Sequence, residues 1–132
     1  MIFLDSSFWI AVVAAGDDHH AEAVGLLGRF GGEVLVTSNH VRGETWTFMR
    51  RRYGHRPALV FLDRLARTPR VRLEFVTQAL EEEAMRWLRR RDEREYSYVD
   101  ATSFALMKSL RIRRALAFDG DSSAAGFTEL RT

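Results

Sequence analysis

Four carboxylates, Asp5, Glu44, Asp100 and Asp119, stand where their charge has a use. Asp5 directly follows the apolar run Ile2-Phe3-Leu4, and Asp119 directly follows Ala115-Leu116-Ala117-Phe118. If both runs are buried parallel strands, the two acids lie at strand carboxyl ends, the edge where open α/β sheets hold ligands. Asp100 and Glu44 fall within helical stretches. At about 100° per residue, Phe104 and Met107 flank Asp100 by about 40° and 20°, and Glu44 lies about 60° from Val41 on the side of Phe48. Acids on apolar helix faces point inward, where charge is costly unless it is paired or binds a metal.

Each acid also has a simpler reading. Asp100 stands three residues after Ser97, the spacing of a capping box. Glu44 can pair with Arg51 or Arg52, Asp5 can cap the helix that follows it, and Asp119 can open the turn Asp119-Gly120-Asp121. Those are four separate explanations, whereas one shared site accounts for all four acids. Two ionised carboxylates about 4 Å apart repel by about 4 kcal/mol at an effective dielectric of about 20, so such a cluster requires a cation. The chain has no cysteine and four histidines. An oxygen-only donor set selects Mg²⁺, with Mn²⁺ able to substitute. An ion of this kind can activate water and hold a phosphodiester for in-line attack.

The elements that must position these acids are legible as apolar runs separated by caps and breakers. Ile2 to Leu4 reads as a strand, followed by a helix over Ser7 to Ala15 that Gly16 ends. Asp17 or Asp18 caps a second helix to Phe30, and Gly31-Gly32 turns the chain into a strand over Glu33 to Thr37. Ser38 or Asn39 caps a third helix through Arg50-Arg51-Arg52 to Gly54, and Pro57 opens a fourth that closes before Pro69. Val71 to Val76 is a third strand. A charged helix from Thr77 to about Glu95 follows, and another from Ser97 to about Leu110. Ala115 to Phe118 is the fourth strand, and Thr128 to Leu130 a short fifth. Continuous apolar strands alternating with helices imply an α/β fold, a parallel sheet of four to five strands covered by helices on both faces. One domain spans residues 1–132.

With 132 residues, 46% of them hydrophobic and 29% charged, the chain falls in the globular range. Lack of cysteine excludes disulfide frameworks, thiolate zinc and cysteine nucleophiles, and fits a cytoplasmic setting. No signal peptide and no apolar run near the ~20 residues of a membrane helix is expected. Formal net charge is +2, but setting four of the 18 acids in a metal pocket leaves 14 against 20 bases, an excess of six positive charges over the remaining surface. That surface would attract polyanions. Nineteen of the 20 bases are arginine, whose planar fork suits phosphates and stacking.

The opening Phe3-Leu4-Asp5-Ser6-Ser7, the block Thr37-Ser38-Asn39-His40-Val41-Arg42-Gly43-Glu44, Tyr98-Val99-Asp100-Ala101, and Ala117-Phe118-Asp119-Gly120-Asp121 with Ala125-Gly126-Phe127 resemble the PIN-domain family, particularly its VapC-like toxins. The likeness runs in order over essentially the whole chain. It implies a Mg²⁺-dependent endoribonuclease, inhibited by a cognate antitoxin and usually a homodimer. It places the catalytic acids on Asp5, Glu44, Asp100 and Asp119, with Asp5, Asp100 and Asp119 as metal ligands, and a hydroxyl near the site at Ser6. Where family members often carry an aromatic three residues after the fourth acid, this chain has Ser122, which leaves Asp121 a candidate contributor.

Several other features carry two readings. Arg50, Arg51 and Arg52 continue the helix of Glu44 and are candidates for holding a flanking substrate phosphate. Like Arg89-Arg90-Arg91, they can instead form a solvated helix face. Trp46, Tyr53 and Trp87 stand near these runs for stacking. Asp17-Asp18-His19-His20 reads as a helix start, because adjacent histidines on a helix diverge by about 100°. Phe8, Trp9, Val12 and Val13 with Phe61, Leu62 and Leu65 are core, or a dimer or antitoxin surface. A phosphotransfer fold with acids at strand ends is a weaker reading, since it expects a late lysine and the only lysine, Lys108, lies within a helix. A non-catalytic PIN-like module binding RNA or protein is the alternative function, and retention of four mutually repelling acids argues against it.

Overall fold

Ile2–Leu4 (β1) is buried at all three positions and forms the centre of the sheet in the computed structural model, which describes residues Met1–Thr132. Asp5 then caps α1 (Ser6–Val13), its carboxylate accepting from the Ser7 backbone N–H. The next elements are α2 (His20–Phe30), β2 (Leu35–Ser38), α3 (Asn39–Arg52), α4 (His55–Arg67), β3 (Val71–Glu74) and α5 (Gln78–Arg89). The chain ends with α6 (Tyr98–Ser109), β4 (Arg114–Leu116), α7 (Asp121–Ala124) and β5 (Thr128–Glu129). No helix is long and apolar enough to cross a membrane.

The five strands are parallel in the order β3-β2-β1-β4-β5. From β1 the chain steps to β2 and β3 on one side, then crosses back to β4 and β5 on the other. Right-handed crossovers therefore set α1 to α4 on one face and α5 to α7 on the opposite face. The direction reverses between β1 and β4, which makes that gap the switch point where parallel sheets open a crevice at their carboxyl edge. Phe3, Leu4, Phe8, Trp9, Leu35, Phe61, Met107 and Leu116 belong to the main buried core. Phe8, Trp9, Val12, Phe61 and Leu65 are thus core.

The α/β class, the parallel sheet and its five strands agree with the sequence reading, and several boundaries do not. α2 begins at His20 because the Asp17 carboxylate accepts from the His19 N–H and closes a turn in place of capping the helix. β2 starts at Leu35, since Glu33 is drawn into an ion pair with Arg114. α5 ends at Arg89, not near Glu95, and residues 90–97 return to the carboxyl edge of the sheet, where Arg94 binds Asp121. Asp121–Ala124 is a short helix that the Asp-Gly-Asp turn concealed; Gly120, at φ 80°, supplies the left-handed step before it.

Candidate metal centre

Asp5, Asp100 and Asp119 converge at the switch point, each offering a carboxylate oxygen within 4.8 Å of the others. Three independent devices bring them there. β1 delivers Asp5, whose Oδ2 also accepts from the Ser7 hydroxyl at 2.7 Å. The neighbouring strand β4 leads to Asp119, whose Oδ1 accepts from the Asp121 N–H at 3.1 Å and shapes the following turn. Asp100 is the third residue of α6, locked by a full capping box: the Ser97 hydroxyl accepts from the Asp100 N–H, and the Asp100 carboxylate accepts from the Ser97 N–H at 2.9 Å. The cap, turn and capping-box readings of these acids are therefore all realised, and the same hydrogen bonds aim the free oxygens at one point.

Electrostatics at that point favour a cation. Asp5 and Asp100 are buried, while Asp119 is exposed and leaves one side open. No arginine, lysine or histidine forms an ion pair with any of the three. Burial, then the Asp119 charge, holds the Asp5 carboxyl well above the usual carboxylate range. Asp100 is pushed up to about 7, by burial first and then by Asp121 and Asp119, against the lowering effect of the Ser97 N–H bond. Two charges 4.8 Å apart repel by about 3.5 kcal/mol at an effective dielectric of about 20, and a divalent ion among them reverses the sign of that term. The donors are all carboxylate oxygen, the set suited to Mg²⁺ or Mn²⁺.

Glu44 stands apart from the trio. Its Oε1 accepts from the Ser6 hydroxyl at 2.6 Å, so neither Arg51 nor Arg52 is its partner. It lines an open groove of about 650 Å³ with Gly43, Thr47, Phe48, Arg51, Arg52 and Val99. Val99 immediately precedes Asp100, so the groove abuts the trio. Arg51 and Arg52 line it; Arg50, about 120° away from Glu44 around α3, is exposed but does not.

Two contributors escaped the sequence reading. Ser7, beside the expected Ser6, donates to Asp5, and its oxygen also accepts from the Phe118 N–H at 3.0 Å, tying the start of α1 to the segment that carries Asp119. Arg94 donates to Asp121 at 2.6 Å and to the Asp119 carbonyl at 2.9 Å, so it steadies that segment and pairs with Asp121. Ser122, where an aromatic was expected, is 4% exposed within α7.

The PIN domain family matches residues 2–127. Over 131 residues, 99% of this chain and 98% of the relative, the sequence is 55% identical to the 23S rRNA-specific endonuclease VapC20 of Mycobacterium tuberculosis, in both the CDC 1551 / Oshkosh and H37Rv strains. A crystal structure of Mycobacterium tuberculosis VapC20, described as a sarcin–ricin loop cleaving toxin, superposes with a TM-score of 0.93 at 54% identity, covering 100% of both chains.

Proposed function

The chain belongs to the PIN-domain family, and from that premise we propose that it is a Mg²⁺-dependent endoribonuclease, the toxin of a toxin–antitoxin pair. The convergence of Asp5, Asp100 and Asp119 without a basic partner carries this reading, because a bound cation lets all three ionise together where otherwise protons must be retained. Identity of 55% to a 23S rRNA-specific endonuclease over almost the whole chain supports ribosomal RNA, and its sarcin–ricin loop in particular, as the substrate. A cytoplasmic location, a cognate antitoxin and a homodimeric state belong to the same reading.

Asp5, Asp100 and Asp119 would hold the ion, with Mn²⁺ able to replace Mg²⁺. Bound there, the ion supplies Lewis-acid activation of water and of the scissile phosphate. Ser7 and the Ser97 N–H fix the orientation of Asp5 and Asp100, so little reorganisation accompanies substrate binding. Glu44, held by Ser6 at the rim of the groove, would accept a proton from the attacking water. Arg51 and Arg52 hold the phosphates of the strand leaving the cut, and Arg50, outside the groove, takes no part.

The test is cleavage of an RNA hairpin of sarcin–ricin loop sequence by purified protein. A single cut appears with Mg²⁺ or Mn²⁺ and vanishes with chelator. A folded protein that leaves this RNA and intact 23S rRNA uncut in both ions rules the proposal out. A non-catalytic RNA-binding module would bind the hairpin equally well with and without Asp5.

A further inference from the structure

A second basic surface lies outside the acidic crevice and its groove. α5, α6 and the segment after α7 enclose a cleft of about 300 Å³. Its floor is Trp87, Phe104 and Phe127, and its rim carries Arg86, Arg90, Arg91 and Lys108 against the single acid Glu83. The floor is preformed: Phe104 meets Trp87 edge-on at 5.4 Å and stacks on Phe127 at 5.3 Å. The Arg91 guanidinium lies over the Trp87 ring, 5.2 Å from its centroid. Of the four cations only Arg91 has a carboxylate partner, Glu93 at 3.4 Å; Arg86, Arg90 and Lys108 have none. Lys108 and Phe127 also border a shallower depression with Arg111 and Arg113, so the positive strip continues beyond the cleft.

Phe104 belongs to the main core and Trp87 and Phe127 pack against it, but a solvated helix face does not account for a concave cleft that leaves those two rings part-accessible beneath unpaired arginines. Unpaired cations around the half-buried Trp87 and Phe127 rings suit a ligand that combines phosphates with flat rings. The position adds a constraint. Val99 lines the α3 groove and Ala101 lines the α5/α6 cleft, so Asp100, between them in sequence, has a basic surface on either side. Lys108, eight residues beyond Asp100 on α6, lies about 12 Å along the helix axis, a span that an RNA strand covers in a few nucleotides.

We infer that the α5/α6 cleft is a second RNA subsite, in which Arg86, Arg90 and Lys108 hold backbone phosphates and the Trp87 edge receives a base away from the cut. With Arg51 and Arg52 on the far side of the crevice, the two limbs of a folded RNA are gripped on opposite sides of the scissile bond. This predicts a preference for a hairpin over a short single strand, and it rests on the reading that the chain cuts RNA.

The experiment uses the uncleaving Asp100→Asn protein and two fluorescent RNAs, a sarcin–ricin hairpin with its stem and a short single strand of the loop alone. Combining Arg90→Glu with Lys108→Glu, both on exposed side chains, should weaken hairpin binding at least tenfold. Each lost phosphate contact should lower the salt dependence of log K by about 0.7 to 0.9. Affinity for the short strand should stay within twofold. Trp87→Phe, which keeps the packing against Phe104, should reduce the tryptophan quenching caused by the hairpin. Hairpin affinity and salt slope that match the parent overturn the inference, and a fall in molecular mass from dimer to monomer would then assign the cleft to a second copy of the chain. Metal-dependent cleavage by the wild-type protein is read separately, so failure of the subsite and failure of the nuclease reading give different results.

Discussion

Replacing Asp100 by asparagine separates electrostatic strain from architecture, because the amide oxygen can still accept from the Ser97 N–H and complete the capping box. In the metal-free protein the Asp100 carboxyl is raised from 3.8 to about 7. The folded state therefore retains a proton that the unfolded chain has released, and stability falls as pH rises from about 4 through about 7. Three units at about 1.4 kcal/mol each would give about 4 kcal/mol, and solvent reaching the site past exposed Asp119 screens this to about 2 kcal/mol. Asparagine removes the loss. Without metal at about pH 8, Asp100→Asn should melt about 6 °C above wild type, taking about 3 °C per kcal/mol for a domain of this size. At about pH 4.5, where wild-type Asp100 is protonated as well, the two should melt together. Excess Mn²⁺ should reverse the order: at about 100 times its dissociation constant an ion adds about 2.7 kcal/mol to wild type, and the variant should gain little. Parallel melting curves at both pH values, with the variant lower throughout, would refute the reasoning and reduce Asp100 to a capping residue.

Further outcomes follow from the same geometry. Arg51→Ala and Arg52→Ala should raise KM more than they lower kcat, and Arg50→Ala, which points away from the groove, should change neither; steady-state cleavage of the hairpin reads all three. Ser7→Ala strands the Phe118 N–H and unties Asp5, so it should cost about 1–3 kcal/mol in urea unfolding and reduce cleavage more than Ser6→Ala. Expression of the wild-type chain alone should slow bacterial growth, and Asp119→Asn should restore it; normal growth with abundant folded wild-type protein would contradict a toxin.

The parallel sheet and three of the acids were legible because they rest on patterns a sequence carries openly. β1 is an unbroken apolar run ending in Asp5, and α6 announces itself through Ser97 and the apolar face shared by Asp100, Phe104 and Met107. What escaped depends on contacts distant in sequence. Nothing local stops α5 at Arg89, but Arg94 is engaged with Asp121 and the Asp119 carbonyl, which requires residues 90–97 to leave the helix. The choice between Ser6 and Ser7 turns on about 100° of helix rotation, fixed only when α1 docks with Ser6 toward Glu44 and Ser7 toward Phe118. Arg50 and Arg51 differ by the same step, and only the packing of α3 decides which one meets the groove.

The central claim is that Asp5, Asp100 and Asp119 hold one ion that cuts RNA. The most direct measurement is a Mn²⁺ titration that follows bound metal by electron paramagnetic resonance and hairpin cleavage on the same samples, for wild type and Asp5→Asn. The account predicts that occupancy and cleavage rate rise together in wild type and are lost together in the folded variant. Cleavage that persists in chelator, or a folded Asp5→Asn protein that binds Mn²⁺ and cuts RNA as wild type does, would contradict it.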